Sequence, residues 1–339
     1  MPQPPFGSAT PLFHGAVTPS GIPSSGDAPP PLPPDSKSAM NEIFFGPNGL
    51  RAGWRLLIFA AIIAAFLTTL HYAGKLLSQG QPQQRGFPMT GIIIGEAIVF
   101  LLFLIASWIM AKIEDRTIGD YGLPGRKAFQ KGFWQGTIIG FVAMTILLGT
   151  LRGLCVFYFG KFALHGGELA KYAALWGVAF LLVGFTEEFA ARGYALFTLT
   201  TGIGFWPAAL LLSIAFGALH LGNGGEDWIG ALAAGSAGFL FCFILRRTGD
   251  LWMAIGFHAA WDWAETFFYG VPDSGQIAPG HMLNPSFHGP KLLTGGSVGP
   301  EGSIVCFAVL ILCWVFFHFW LPEEKYPNLA AMGRHTDGM

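Results

Sequence analysis

Three short stretches place ionisable side chains within apolar surroundings. The first is Gly184-Phe185-Thr186-Glu187-Glu188-Phe189-Ala190-Ala191-Arg192, two adjacent carboxylates followed by an arginine. On a helix, Glu188 and Arg192 are i,i+4 neighbours and can pair. Glu187 lies about 100° further round and is free to face a different cavity. One carboxylate braced beside another left free suits a general base held in fixed orientation. A purely structural ion pair would account for Glu188 and Arg192 but poorly for Glu187.

The second stretch is Phe216-Gly217-Ala218-Leu219-His220, where Phe216 and His220 share one helix face. Alone, it reads as a packed, hydrogen-bonded core histidine. The third is Phe257-His258-Ala259-Ala260-Trp261-Asp262, with His258 and Asp262 again at i,i+4. Asp262 can accept from one ring nitrogen and leave the other for a metal, a water or an oxyanion. A fourth location, Glu96, suits a polar bridge between helices and a proton relay equally well.

Ionisable groups in hydrocarbon are costly, and so each needs a reason. Two carboxylates, two histidines, an aspartate and an arginine on neighbouring apolar segments fit hydrolysis of a peptide bond by an activated water. Two arrangements stay open. Glu187, His220 and His258 can hold a divalent metal, zinc first among them, that acidifies the water. Alternatively, Glu187 and His220 polarise the water directly while His258 and Asp262 stabilise the oxyanion. Other protease chemistries find no support. There is no HExxH, no GxGD and no GxSxG. The nearest stretch to the last, Ala234-Gly235-Ser236-Ala237-Gly238, lacks the first glycine and reads as small-residue packing.

The elements that must position these groups are membrane helices. Only 12% of the 339 residues are charged and 52% are hydrophobic, with a mean hydropathy of +0.50. A soluble domain carries about 25% charged residues, and a net charge of −1 argues against nucleic acid as a partner. Four cysteines without CxxC spacing (Cys155, Cys242, Cys306 and Cys313) give no zinc ribbon or disulfide framework. A span needs about 20 apolar helical residues. Eight are expected, at 53–76, 91–113, 133–153, 172–199, 206–222, 229–246, 251–269 and 303–321. Residues 154–162 either extend the third span or lie at the interface. The predicted architecture is therefore an all-α, polytopic transmembrane helical bundle. It occupies residues 46–325, between a Pro-rich tail at 1–45 and a C-terminal tail at 326–339. Eleven of the first forty residues are proline, which predicts a disordered, partly polyproline segment on the cytoplasmic side.

With eight spans and the N-terminus inside, the inner segments hold twelve Lys and Arg and the outer loops six. That bias places both termini in the cytoplasm. Gly136 and Gly140 form one GxxxG and Gly149 and Gly153 another, both read as close helix packing. The Gly- and Pro-rich loop at 270–302 is expected to cap the outer face.

The ordered set Glu187-Glu188…Arg192, Phe216…His220 and His258…Asp262 resembles the CPBP family, the CAAX-protease and bacteriocin-processing proteins that include the Ras-converting prenyl-protein endopeptidase. Its pattern is EExxxR, FxxxH and HxxxN or HxxxD on three transmembrane helices. The likeness covers about residues 110–270, and Arg116-Thr-Ile-Gly-Asp-Tyr-Gly122-Leu123 looks like the segment preceding the core in bacterial members. The resemblance implies an integral protein of the bacterial cell membrane. It also implies a hydrolase of the metalloprotease type that cleaves a membrane-associated protein or peptide amid membrane lipid. By position, Glu187 would activate water, Glu188 and Arg192 would support it, and His220 would help hold the water or a metal. His258 and Asp262 would complete the site. Asp262 stands where the prenyl-protein proteases commonly have asparagine, and an ionised aspartate only accepts hydrogen bonds. A non-catalytic scaffold or immunity-type factor of the same fold is the alternative. A proton-coupled transporter is a third reading, disfavoured by the lack of repeat symmetry.

Overall fold

The computed structural model describes residues 41–46, 49–77, 89–277 and 279–326. The segments read as tails therefore lie almost wholly outside the described residues. The elements named below all lie within the unit formed by residues 44–339.

A two-residue strand pair, β1 (Phe45–Gly46) with β2 (Gly49–Leu50), leads into α1 (Ala52–Leu77) and α2 (Met89–Ile113). Then follow α3 (Lys131–Gly153), β3 (Phe157–Phe162), α4 (Gly166–Arg192), α5 (Tyr194–Ile203), α6 (Phe205–His220) and α7 (Trp228–Thr248). Helix α8 (Trp252–Asp262) runs directly into a π-helical segment, Trp263–Tyr269, before β4 (Leu283–Phe287) and α9 (Ile304–Trp320). Every expected span corresponds to helix. Among the described residues, five stretches are long and apolar enough to cross a membrane: 52–76, 89–113, 131–153, 166–203 and 228–248. The helices at 205–220 and 304–320 are apolar but shorter. The protein is a helical membrane bundle.

Two departures from expectation have local causes. The fourth span is not one helix. It breaks at Gly193, where an added Cβ would lie 2.4 Å from the carbonyl oxygen of Phe189, a closeness only glycine tolerates. Residues 157–162 extend no helix either. They form β3, which pairs antiparallel with β4 from the 270–302 loop, Phe157 opposite Phe287 and Phe162 opposite Leu283.

Close packing sets the centre of the bundle. A Cβ on Gly136 would meet the carbonyl oxygen of Met253 at 2.0 Å, one on Gly140 that of Phe257 at 2.2 Å, and one on Gly256 that of Phe133 at 2.2 Å. Helices α3 and α8 therefore touch backbone to backbone, as small residues permit. The second GxxxG does nothing comparable, because Gly149 and Gly153 have open space around them. Around this contact lies a core that includes Leu147, Leu151, Phe241, Phe257, Trp261 and Phe317.

Helix α7 starts at Asp227, whose carboxylate accepts from the amides of Ile229 at 2.8 Å and Gly230 at 3.2 Å. Lys291 donates to the same carboxylate at 2.6 Å and, with the two amides, holds it below the usual carboxylate range. A lowered carboxyl contributes stability that is present above its unfolded pKa and is lost as pH falls through the folded one. Asp227→Ala is expected to cost about 1 kcal/mol near neutral pH, and less in acid, in unfolding of the detergent-solubilised protein.

Gly140→Ala is expected to destabilise by about 1–3 kcal/mol, because backbone must move apart. Gly149→Ala should be neutral or slightly stabilising. Comparison of their thermal unfolding midpoints with wild type checks both.

Candidate active site

Helix α4 carries the paired carboxylates. Glu188 and Arg192 are both fully buried and pair at 3.0 Å across one turn. The arginine is further held by aromatic faces, its guanidinium carbon 4.3 Å from the Phe216 ring centre and 5.8 Å from that of Phe241. Gly238 on α7 makes room for it, since a Cβ there would lie 2.2 Å from an Arg192 nitrogen. Nearby, a Cβ on Gly235 would meet the Ser213 carbonyl oxygen at 3.1 Å, and the Ser236 hydroxyl donates to its own helix at Leu232. Residues 234–238 are thus packing and arginine clearance, as their small side chains suggest.

Glu188 does more than brace the arginine. The same oxygen accepts from His258 Nδ1 at 2.9 Å. The i,i+4 spacing suggests that Asp262 takes one nitrogen of this ring and leaves the other free. Instead Glu188 takes Nδ1, and Nε2 lies 3.5 Å from Asp262 and 3.7 Å from Glu187. Both latter distances exceed a direct hydrogen bond and leave a polar gap between Glu187, His258 and Asp262. The Phe241 ring stacks on His258 at 5.2 Å and 22°, fixing the imidazole plane.

His220 ends α6 and turns its Nδ1 to the Phe216 carbonyl oxygen at 2.8 Å. A carbonyl only accepts, so Nδ1 carries the proton and the neutral ring keeps the Nε2 lone pair free. Glu187, His220, His258 and Asp262 all line one cavity of about 570 Å³, with Glu96 from α2 in the same wall. Glu188 and Arg192 stand behind it, out of solvent. Glu187 keeps 33% of its side chain exposed, against 9% for Asp262 and none for Glu188. Thr186 ties α4 to α2 by donating to the Glu96 carbonyl oxygen.

Of the three residues expected to hold a metal, Glu187 and His258 approach to 3.7 Å and His220 lines the same cavity. Among the described residues, the histidine, cysteine and acidic groups whose ligand atoms gather within 4.8 Å of one another are Glu265, Asp273 and Glu301. None of these three was singled out in the motifs. Glu265 was legible in principle, as a carboxylate three residues beyond Asp262 in an otherwise apolar run. Asp273 and Glu301 come from the 270–302 loop, which folds back to line the cavity together with Ser274 and Gln276. Burial and the neighbouring Glu301 push the Asp273 carboxyl up to about 7. Cys306 also borders the cavity but is 2% exposed.

The fold and this site define a polytopic helical membrane protein with a carboxylate–imidazole cavity held by a buried ion pair. Residues 169–264 match the family model described as type II CAAX prenyl endopeptidase, Rce1-like. No curated protein and no solved structure matches the chain. The matched segment runs from α4 to just past Asp262 and contains all three motifs, so this part of the chain is similar to the Rce1-like CAAX endopeptidases.

Removing one partner of a buried ion pair strands the other charge, at about 3–5 kcal/mol. Arg192→Met should therefore lower the unfolding midpoint sharply. The double variant Glu188→Gln, Arg192→Met should recover part of that loss, and Arg192→Lys should rescue only in part, because the planar fork is gone. Scanning fluorimetry of the purified variants measures all three.

Proposed function

We propose that the chain is an intramembrane endopeptidase that hydrolyses a peptide bond of a membrane-associated protein or peptide through a water activated by Glu187. The observation that carries this reading is the convergence of Glu187, His220, His258 and Asp262 on one cavity, backed by the buried Glu188–Arg192 pair. The family match supports the reaction class.

In this mechanism a water sits in the gap beside Glu187. Its first hydrogen bond goes to the Glu187 carboxylate and its second to the free Nε2 of His220. As the water oxygen adds to the peptide carbonyl carbon, Glu187 takes the proton. The carbonyl electron pair moves to oxygen, and the resulting oxyanion needs a donor. In its charged form, His258 offers Nε2–H to that oxyanion while Nδ1–H stays on Glu188. Asp262, 3.5 Å away, stabilises the charged ring. An aspartate at this position acts through His258 rather than by donating itself. Glu187 then gives its proton to the leaving amine as the C–N bond breaks, restoring the carboxylate. Positioning and charge stabilisation of this kind account for large rate factors. Glu188 and Arg192 are positioning residues that hold His258.

Protein groups and water suffice for every step, and a divalent metal held by Glu187, His220 and His258 would serve the same end by acidifying that water. The cavity also exposes Ile92, Trp176, Phe180 and Val183, an apolar side suited to a lipid-modified or hydrophobic peptide. The charge bias between loops supports an orientation with both termini in the cytoplasm.

Glu187→Ala, His220→Ala and His258→Ala should each lower turnover by at least about 10²-fold while the folded protein stays in the membrane. New peptide termini in membranes carrying wild type but absent with Glu187→Ala would identify the substrate and the cleaved bond. Identical termini with both proteins well expressed would refute the hydrolytic reading.

A further inference from the structure

The carboxylates of Glu265, Asp273 and Glu301 approach one another at the edge of the cavity, each offering an oxygen within 4.8 Å of the other two. Glu265 sits on the π-helical segment that continues α8, a widening of the helix common at functional sites. Its side chain is fully buried, and neither of its oxygens has a hydrogen-bond partner. The other two are aimed by donors. Trp261 Nε1 donates to one Glu301 oxygen at 3.0 Å, and Ser274 donates to the other through its hydroxyl at 3.2 Å and its amide at 3.3 Å. The Thr266 hydroxyl donates to Asp273 at 2.9 Å. Among the described residues, no lysine or arginine pairs with any of the three.

Three carboxylates this close, one of them stripped of water and of every donor, cannot all remain charged without a counter-charge. The donors that orient Glu301 and Asp273 leave their remaining lone pairs to meet Glu265. All three ligands are oxygen, which selects a hard cation over zinc or copper. Calcium takes oxygen ligands in flexible geometry, whereas magnesium demands near-ideal octahedral geometry and gives up its waters reluctantly; three carboxylates contributed by a helix end and a loop suit the former.

We propose that Glu265, Asp273 and Glu301 form a binding site for a divalent cation of calcium size. Bound there, the ion ties the 270–302 loop to the end of α8, three residues from Asp262. The site is separate from the hydrolytic groups, and two of its residues lie well beyond the Rce1-like segment. It does not depend on the peptidase reading.

The test uses the full chain purified in detergent and stripped with a chelator. Calcium at millimolar concentration should raise the unfolding midpoint of wild type by about 4 °C or more. Terbium should emit on tryptophan excitation, because Trp261 donates to one of the ligands. Glu265→Gln and Asp273→Asn should keep their helical circular dichroism and bind terbium roughly tenfold more weakly or worse. If only one of the two folds, that one decides. A wild type that neither shifts nor emits, variants that respond as wild type does, or a larger shift with magnesium than with calcium would each overturn the proposal.

Discussion

A single carboxylate oxygen at the centre of the bundle, that of Glu188, holds an arginine and a histidine from two helices. It lies 3.0 Å from Arg192 and 2.9 Å from His258. Away from water such a charge is tolerable only with its partners in place, so α4 and α8 cannot separate without exposing it. The arginine in turn fills a slot between Phe216 and Phe241 that exists because residue 238 is glycine. Helices α6 and α7 are thereby drawn to the same point. The four helices that carry the site groups or wall them in share one electrostatic knot.

The backbone contact between α3 and α8 is the second constraint. Where Gly136, Gly140 and Gly256 sit, the two helices approach as closely as main chains can. That fixes the height and rotation of α8, and with it which way His258 and Asp262 face. Helix α3 contributes no side chain to the chemistry, yet it sets the orientation of two residues that do.

Much of this was legible in sequence because the bilayer penalises ionisable groups so heavily. Glu187, Glu188, Arg192, His220, His258 and Asp262 stand out against apolar neighbours, and helical spacing alone pairs Glu188 with Arg192. The wiring of His258 was not legible, because its Nδ1 partner lies 70 residues away on another helix. The break at Gly193 escaped for a related reason, since glycine is common in membrane helices and only the approach of Phe189 makes this one a joint. The contribution of Asp273 and Glu301 was hidden in a loop without periodicity. Of two identical GxxxG patterns only one meets a partner helix, and nothing within the pattern distinguishes them.

The loop contacts impose a parity on the bundle. Arg55 reaches both Glu114 and Thr201, so the starts of α1 and α6 and the end of α2 lie at one membrane face. Lys127 pairs with Asp250, and Arg246 with Glu324, which adds the start of α3, the α7–α8 turn and the end of α9 to that face. Asp227 pairs with Lys291, and β3 with β4, which joins the α3–α4, α6–α7 and α8–α9 connections at the other. With α7 crossing the bilayer, α6 must carry the chain from the first face to the second. Helix α8 with its π segment must do the same, and α9 must bring it back. The three helices that fall short by length alone are thus obliged to traverse, and at 16 to 18 residues they reach only the lower limit of about 17 for a span. Spans this short are accommodated by a locally thinner bilayer or by snorkelling of flanking side chains, and either brings water and headgroups closer to the reacting groups than a full-length span would.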